Sequence, residues 1–256
     1  MDTALGKRFT RLWQEYFPGA ELPITFEITD EERGIERAPA PGGWRCVVCD
    51  LARVRKGRSL VFGEGSLSCS GAKYYMGYTE ERAPDFRFFL SYGKAGSVPG
   101  ERYKKTPEIV DDFLRQGTFL PARGRHYLFR RWDSLTPDDN PDVVIFFARA
   151  EVIAGLFTLA NYDRADPHGV ICPFGSGCSA IIHHPLHESV AERPRAVLGM
   201  FDPSARPCVP VDMLTMAIPM RIFGPMIDSM EESFLVTGTW EKVKKKIGMS
   251  MHRNDE

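Results

Sequence analysis

A chain of 256 residues, 43% hydrophobic and 26% charged, is long enough to bury a large core and has ordinary globular composition. Its formal net charge of -1 excludes the basic excess of a general nucleic-acid binder and argues against docking on an anionic membrane. No apolar run reaches the roughly 18 residues of a membrane span, and MDTALGKRFTRLWQEYF lacks the features of a secretory signal, so the expectation is a cytoplasmic protein whose six cysteines are reduced thiols or ligands.

Leu5, Phe9, Leu12, Trp13 and Tyr16 recur at helical spacing, which predicts an amphipathic helix over residues 2–16. In PITFEIT, Ile24, Phe26 and Ile28 alternate as in a half-buried strand. Residues 30–44 are charged and then rich in Pro and Gly, a long loop. RCVVCDLARVRKG predicts a short helix stopped at Gly57, residues 59–62 a strand, and SCSGAKYYMGY a tight turn opening into a short helix. DFRFFLSYG alternates like a strand. KTPEIVDDFLRQG has Pro107 near its start and Gly117 at its end, the asymmetry of a helix, and HYLFRRW predicts another strand.

PDVVIFFAR is a nearly continuous apolar run, so residues 143–147 are expected to form a central strand covered on both faces. AEVIAGLFTLANYD then carries apolar residues at helical spacing, and GVICPFGSG opens on a short apolar run. Strand, helix, strand in this order resembles a βαβ unit. CSAIIHHPLHESV predicts a helix broken at Pro185. RAVLGMFD and MLTMAIPM predict strands, and residues 221–235 and 239–247 two closing helices. With no low-complexity tract or long linker, residues 1–256 are expected to be a single domain. Its class is α/β (or α+β), with a mixed sheet covered by helices.

The cysteines are the main candidates for chemistry. Cys46 and Cys49 form C-x-x-C, a spacing that puts both thiols on one face of a helix, where they can ligate metal or cycle as a dithiol. Cys69 sits in a turn at a predicted helix start. Cys172 and Cys178 bracket C-P-F-G-S-G-C, and Cys208 stands alone in ARPCVP. No standard zinc-ribbon or ferredoxin spacing is present, and free cysteine is often a small buried hydrophobe. Cys69 and Cys178 share Gly- and Ser-rich turns at helix starts, where backbone N–H groups favour a thiolate or a bound anion. That likeness predicts that they approach in the fold, with Cα atoms within roughly 10 Å.

His183, His184 and His187 cluster, but the H-x-x-x-H spacing lacks the glutamate of H-E-x-x-H, and polar surface histidines are the simpler reading. Walker, dinucleotide-binding and nucleophile-elbow motifs are absent. Lys242 and residues 244–246 read as the solvated face of the last helix.

CDLARVRKG, SCSGAKYYMG, PDVVIFFARAEVIAGL, GSGCSAIIHHPLHES, FDPSARPCVPVDMLTMAIP and ESFLVTGTW together resemble domain-of-unknown-function family 169, the uncharacterised ArCR proteins, over residues 5–247. The resemblance implies a cysteine-bearing cytosolic family of anaerobes with no established activity. By motif position it carries over Cys49, Cys69 and Cys178.

Three readings follow. The first is a metal or iron–sulfur protein of anaerobic metabolism in which Cys49, Cys69 and Cys178 ligate an iron–sulfur cluster or zinc, with Cys46 or Cys172 as fourth ligand. The second is a non-catalytic small-molecule or anion-binding module, with Arg149 and Arg206 as anion partners. The third is a thiol-dependent enzyme with Cys178 as nucleophile and His183 or His184 as base. The sequence names no reaction and sets no oligomeric state.

Overall fold

The computed structural model of the chain describes residues 1–251. The strands are β1 (Ile24–Thr29), β2 (Leu60–Phe62), β3 (His126–Arg131), β4 (Val143–Ala148), β5 (Val170–Ile171), β6 (Ala196–Gly199) and β7 (Leu214–Pro219). They form one mixed sheet in the order β2-β3-β1-β4-β7-β6-β5. Pairing is antiparallel throughout except at the β5–β6 edge.

β4 is the middle strand, paired with β1 on one side and β7 on the other, and all six of its residues are buried. Val143, Ile145 and Phe147 enter one core; Val144, Phe146 and Ala148 enter the other. A strand covered on both faces needs apolar side chains at every position, which is why its sequence shows no alternation.

The helices are α1 (Thr3–Tyr16), α2 (Val47–Arg55), α3 (Ser70–Tyr75), α4 (Phe86–Phe89), α5 (Pro107–Arg115), α6 (Ala150–Ala160), α7 (His184–Val190), α8 (Met220–Ser229) and α9 (Gly238–Met251). α1, α6, α8 and α9 cover one face of the sheet, with Phe9, Trp13, Phe223 and Trp240 among their buried side chains. α2, α3 and the helical stretch ending in α7 cover the other. The architecture is thus the expected mixed sheet between helical layers. Among the described residues, no helix is long and apolar enough to cross a membrane.

Three local expectations change. DFRFFLSYG contains the short helix α4 and no strand: Leu90 N–H donates to the Phe86 carbonyl at 3.1 Å. Phe86 and Phe89 stack at 6.0 Å, an i,i+3 pair as compatible with a helix as with alternation. β4, α6 and β5 do run strand, helix, strand. The pairings make β4 and β5 parallel, but β7 and β6 lie between them. Pro185 does not break its helix. Residues 177–190 are continuously helical, with a π turn at Ser179–His183, and Pro185 falls in the first turn of α7. There the wider i→i+5 turn leaves room for a residue without an N–H.

Candidate functional site

The helical layer of α2, α3 and α7 carries the cysteines. Cys46 is the N-cap of α2 and Cys49 lies in its first turn, with Cys49 N–H donating to the Cys46 carbonyl at 3.1 Å. The C-x-x-C pair therefore straddles a helix start, and Gly57, at φ +94°, ends the helix as expected. Cys69 is the N-cap of α3. Cys178 lies in the first turn of the helical stretch, residues 177–190, that runs into α7.

Cys208 closes a short 3₁₀ turn, Arg206–Cys208, in the connection from β6 to β7. Two groups hold that connection in place. Asp202, almost fully buried, accepts from the N–H of Ser204 at 3.0 Å and from the N–H of Gly177 at 3.0 Å. It thereby ties the Cys208 segment to the start of the Cys178 helix. Arg206 donates to the carbonyls of Pro210 and Val211, each at 2.9 Å, and to that of Met213.

These constraints bring Cys208 onto α2. Cys49 and Cys208, 159 residues apart in sequence, are joined by a disulfide with a Cα separation of 4.6 Å. The Cys46 sulfur completes a trio whose three sulfurs all lie within 4.8 Å of one another. Cys49 is exposed, while Cys46 and Cys208 are half-buried. The disulfide departs from the expectation of reduced thiols. No local spacing could signal it, because its two halves meet only through tertiary packing.

Cys69 and Cys178 belong to the same neighbourhood. Burial pushes the Cys178 thiol well up, Ser176 Oγ at 3.1 Å from its sulfur opposes this, and Cys69, Cys46 and Asp202 add to the rise. Burial likewise raises Cys46, against the N–H groups of Val48 and Cys49, which favour its thiolate; Cys69 and Asp202 again add to the rise. Tyr75 is raised by burial and then by Cys178. Cys172 is exposed and stands outside the trio. A small cleft lined by Ser70, Gly71, Tyr74, Tyr75 and Arg82 lies next to Cys69.

The histidines do not form the expected polar surface. His183 is 4% exposed and packs against Tyr75 at 5.4 Å, His184 at 5.5 Å and His187 at 4.5 Å. Burial and the two neighbouring histidines lower its pKa to about 3, so the ring is neutral, and Nδ1 has no hydrogen-bond partner among the described residues. The two arginines considered as anion partners are engaged elsewhere. Arg149 pairs with Asp212 at 2.5 Å, and Arg206 is spent on the loop carbonyls.

Sequence reasoning set Cys208 apart and passed over Asp202. The signal for the latter was D-P-S, an aspartate followed two residues later by a serine, the pattern of an Asx turn that fixes a loop.

The chain belongs to the DUF169 family, described as uncharacterised ArCR: the family's sequence model matches residues 17–229, a span that holds all six cysteines. No curated protein and no solved structure matches it.

Proposed function

We propose that the reduced, cytoplasmic chain is a metal-binding protein that holds one soft ion on the thiolates of Cys46, Cys49 and Cys208. The observation that carries this reading is the convergence of three sulfurs, all within 4.8 Å, from two segments remote in sequence. Around a tetrahedral ion with bonds of about 2.3 Å, ligand sulfurs stand roughly 3.8 Å apart, a spacing the trio reaches with small side-chain movements. Thiolates select zinc or iron over hard cations. The N–H groups of Val48 and Cys49 face the Cys46 sulfur and offset part of the negative charge that three thiolates bring together. Cys69, whose charge bears on both Cys46 and Cys178, is our candidate for a fourth ligand.

An iron–sulfur centre on Cys49, Cys69 and Cys178 has weaker support. Cys178 is buried and its sulfur sits against Ser176, whereas the trio is already assembled. The reading of Cys178 as a nucleophile with a histidine base has none from the geometry. A Cys–His pair activates its thiol by a depressed pKa and an adjacent base, but the Cys178 thiol is raised and His183 is a poor base.

The test is to reduce the protein without oxygen, titrate it with zinc against a chromophoric chelator, and repeat with cobalt to read thiolate-to-metal absorption. One ion per chain is expected, with binding weakened at least about tenfold in Cys46→Ser and in Cys208→Ser, the minimum for loss of a direct ligand given the effects of outer-shell changes. A reduced parent that takes up no ion, or variants that bind as tightly as the parent, would overturn the reading.

A further inference from the structure

We infer that the Cys46–Cys49–Cys208 trio is also a thiol–disulfide exchange centre. It reduces accessible disulfides, with Cys49 as the attacking thiol and Cys46 and Cys208 as two alternative resolving thiols. This rests on the same three sulfurs as the metal reading but requires no ion.

The argument is geometric. Of the three sulfur-bearing residues, Cys49 alone is exposed, so it is the one an external disulfide reaches. Cys208 already stands at bonding distance from it. Cys46, less than 4.8 Å from both, is a free thiol. A dithiol centre needs one resolving partner, and this site has two. One is tethered on the same helix start, and the other arrives on the loop that Asp202 and Arg206 hold in place.

The chemistry balances without a further reagent. The Cys49 thiolate attacks one sulfur of a disulfide RSSR; the S–S bond breaks, RS⁻ leaves, and a mixed disulfide forms on Cys49. Cys208 or Cys46, as thiolate, attacks the Cys49 sulfur and expels the second RS⁻. Both leaving thiolates take up the protons that the two cysteines released. The chain is oxidised by two electrons and RSSR is reduced to two RSH. Resolution by Cys208 gives the disulfide seen in the structure. Resolution by Cys46 gives Cys46–Cys49 and leaves Cys208 unlinked. Internal attack by Cys46 on the Cys49–Cys208 bond interconverts the two with no change in oxidation state.

The experiment uses the full chain in a Cys172→Ser background, which removes the exposed thiol outside the trio. The protein is reduced, stripped with chelator and mixed with glutathione disulfide; released glutathione is counted and disulfides are mapped by mass spectrometry. Cys46→Ser is expected to form Cys49–Cys208, and Cys208→Ser to form Cys46–Cys49, each releasing two glutathiones per chain, since either resolving sulfur stands within reach of Cys49. The Cys46→Ser/Cys208→Ser double variant is expected to stop at the Cys49 adduct after releasing one. Cys49→Ser should react at least about tenfold more slowly, the exposed thiol being lost. A Cys208→Ser variant that stalls as the adduct, or that links Cys49 to Cys69 or Cys178, would remove Cys46 from its role and overturn the proposal. Because chelator is present throughout, failure to bind zinc leaves this result untouched, and normal zinc binding cannot rescue it.

Discussion

The two faces of the sheet are built on the same strands and differ in the reactive groups they bury. Under α1, α6, α8 and α9 the packing is aromatic: Phe9 meets Trp132 at 4.7 Å and Phe223 at 5.1 Å, and Trp13 stacks on Phe17 at 4.5 Å. Edge-to-face and offset contacts of this kind add to the area term. Under α2, α3 and α7 Phe26, Phe62 and Phe129 also pack ring on ring, but this layer in addition admits a thiol, a buried carboxylate and a buried imidazole: Cys178, Asp202 and His183. Each polar group buried there costs free energy unless it is paired. Asp202 is paired by backbone N–H groups, whereas His183 keeps one nitrogen without a partner among the described residues. The comparison assigns stability to the first face and chemistry to the second.

The largest expected effect breaks that division from the stable side. Phe146 points from β4 into the aromatic core, 1% exposed, against Phe9, Trp13 and Phe223. Phe146→Ala should cost about 3–5 kcal/mol, the range for truncating a buried phenylalanine. It should leave zinc stoichiometry unchanged in the protein that remains folded. Urea unfolding gives the first quantity and chelator competition the second. A loss of metal binding without a loss of stability would show that the two faces are not separate.

How much of this was legible follows from the range of each interaction. β4 could be read directly, because burial on both faces writes itself into consecutive apolar residues. The C-x-x-C at the start of α2 could be read for the same reason: its geometry is local. The third sulfur could not. Cys208 reaches α2 only after the chain has built β7 and β6 side by side and Asp202 has pinned the turn between them. Nothing within a few residues of Cys208 encodes that. The surface reading of His183 fails because the π turn at Ser179–His183 changes which residues of the helix face inward. The histidine spacing is the same in either case; only the turn preceding it decides the face.

A middle-sized effect sharpens the comparison at Asp202. The carboxylate joins the Cys208 segment to the Cys178 helix through the N–H groups of Ser204 and Gly177. Asp202→Ala leaves both donors without their acceptor, at about 3 kcal/mol for bonds to a charged group. The more specific expectation is positional. With the turn loosened, Cys208 should resolve the Cys49 adduct more slowly, while Cys46, held on α2 itself, should resolve it at the original rate. Disulfide mapping under glutathione disulfide should therefore shift from Cys49–Cys208 toward Cys46–Cys49. An unchanged ratio would mean that Asp202 stabilises the fold without positioning the sulfur.

The smallest effect concerns His183 and appears only in mild acid. The imidazole is enclosed by Tyr74 and Tyr75 from α3 and by His184 and His187 from its own helix, with the Thr118 carbonyl as the one group that favours its charged form. Burial, then His187 and His184, depress that value to about 3, while the unfolded chain has the ordinary value near 6.5. A depressed base is neutral in the native state. Its contribution to stability is complete above the unfolded value and is lost as pH falls from about 6.5 toward 3, because the unfolded chain takes up a proton the native ring refuses. At pH 5 the loss from this ring amounts to about 2 kcal/mol. His184, also lowered by burial, acts in the same direction. His183→Phe keeps the ring packed against the two tyrosines and removes the titration. The stability difference between pH 7 and pH 5, from urea midpoints at each pH, should shrink by about 2 kcal/mol in the variant. If parent and variant lose stability equally over that interval, His183 is charged in the native protein, and the cysteine-bearing face is wetter than its packing implies.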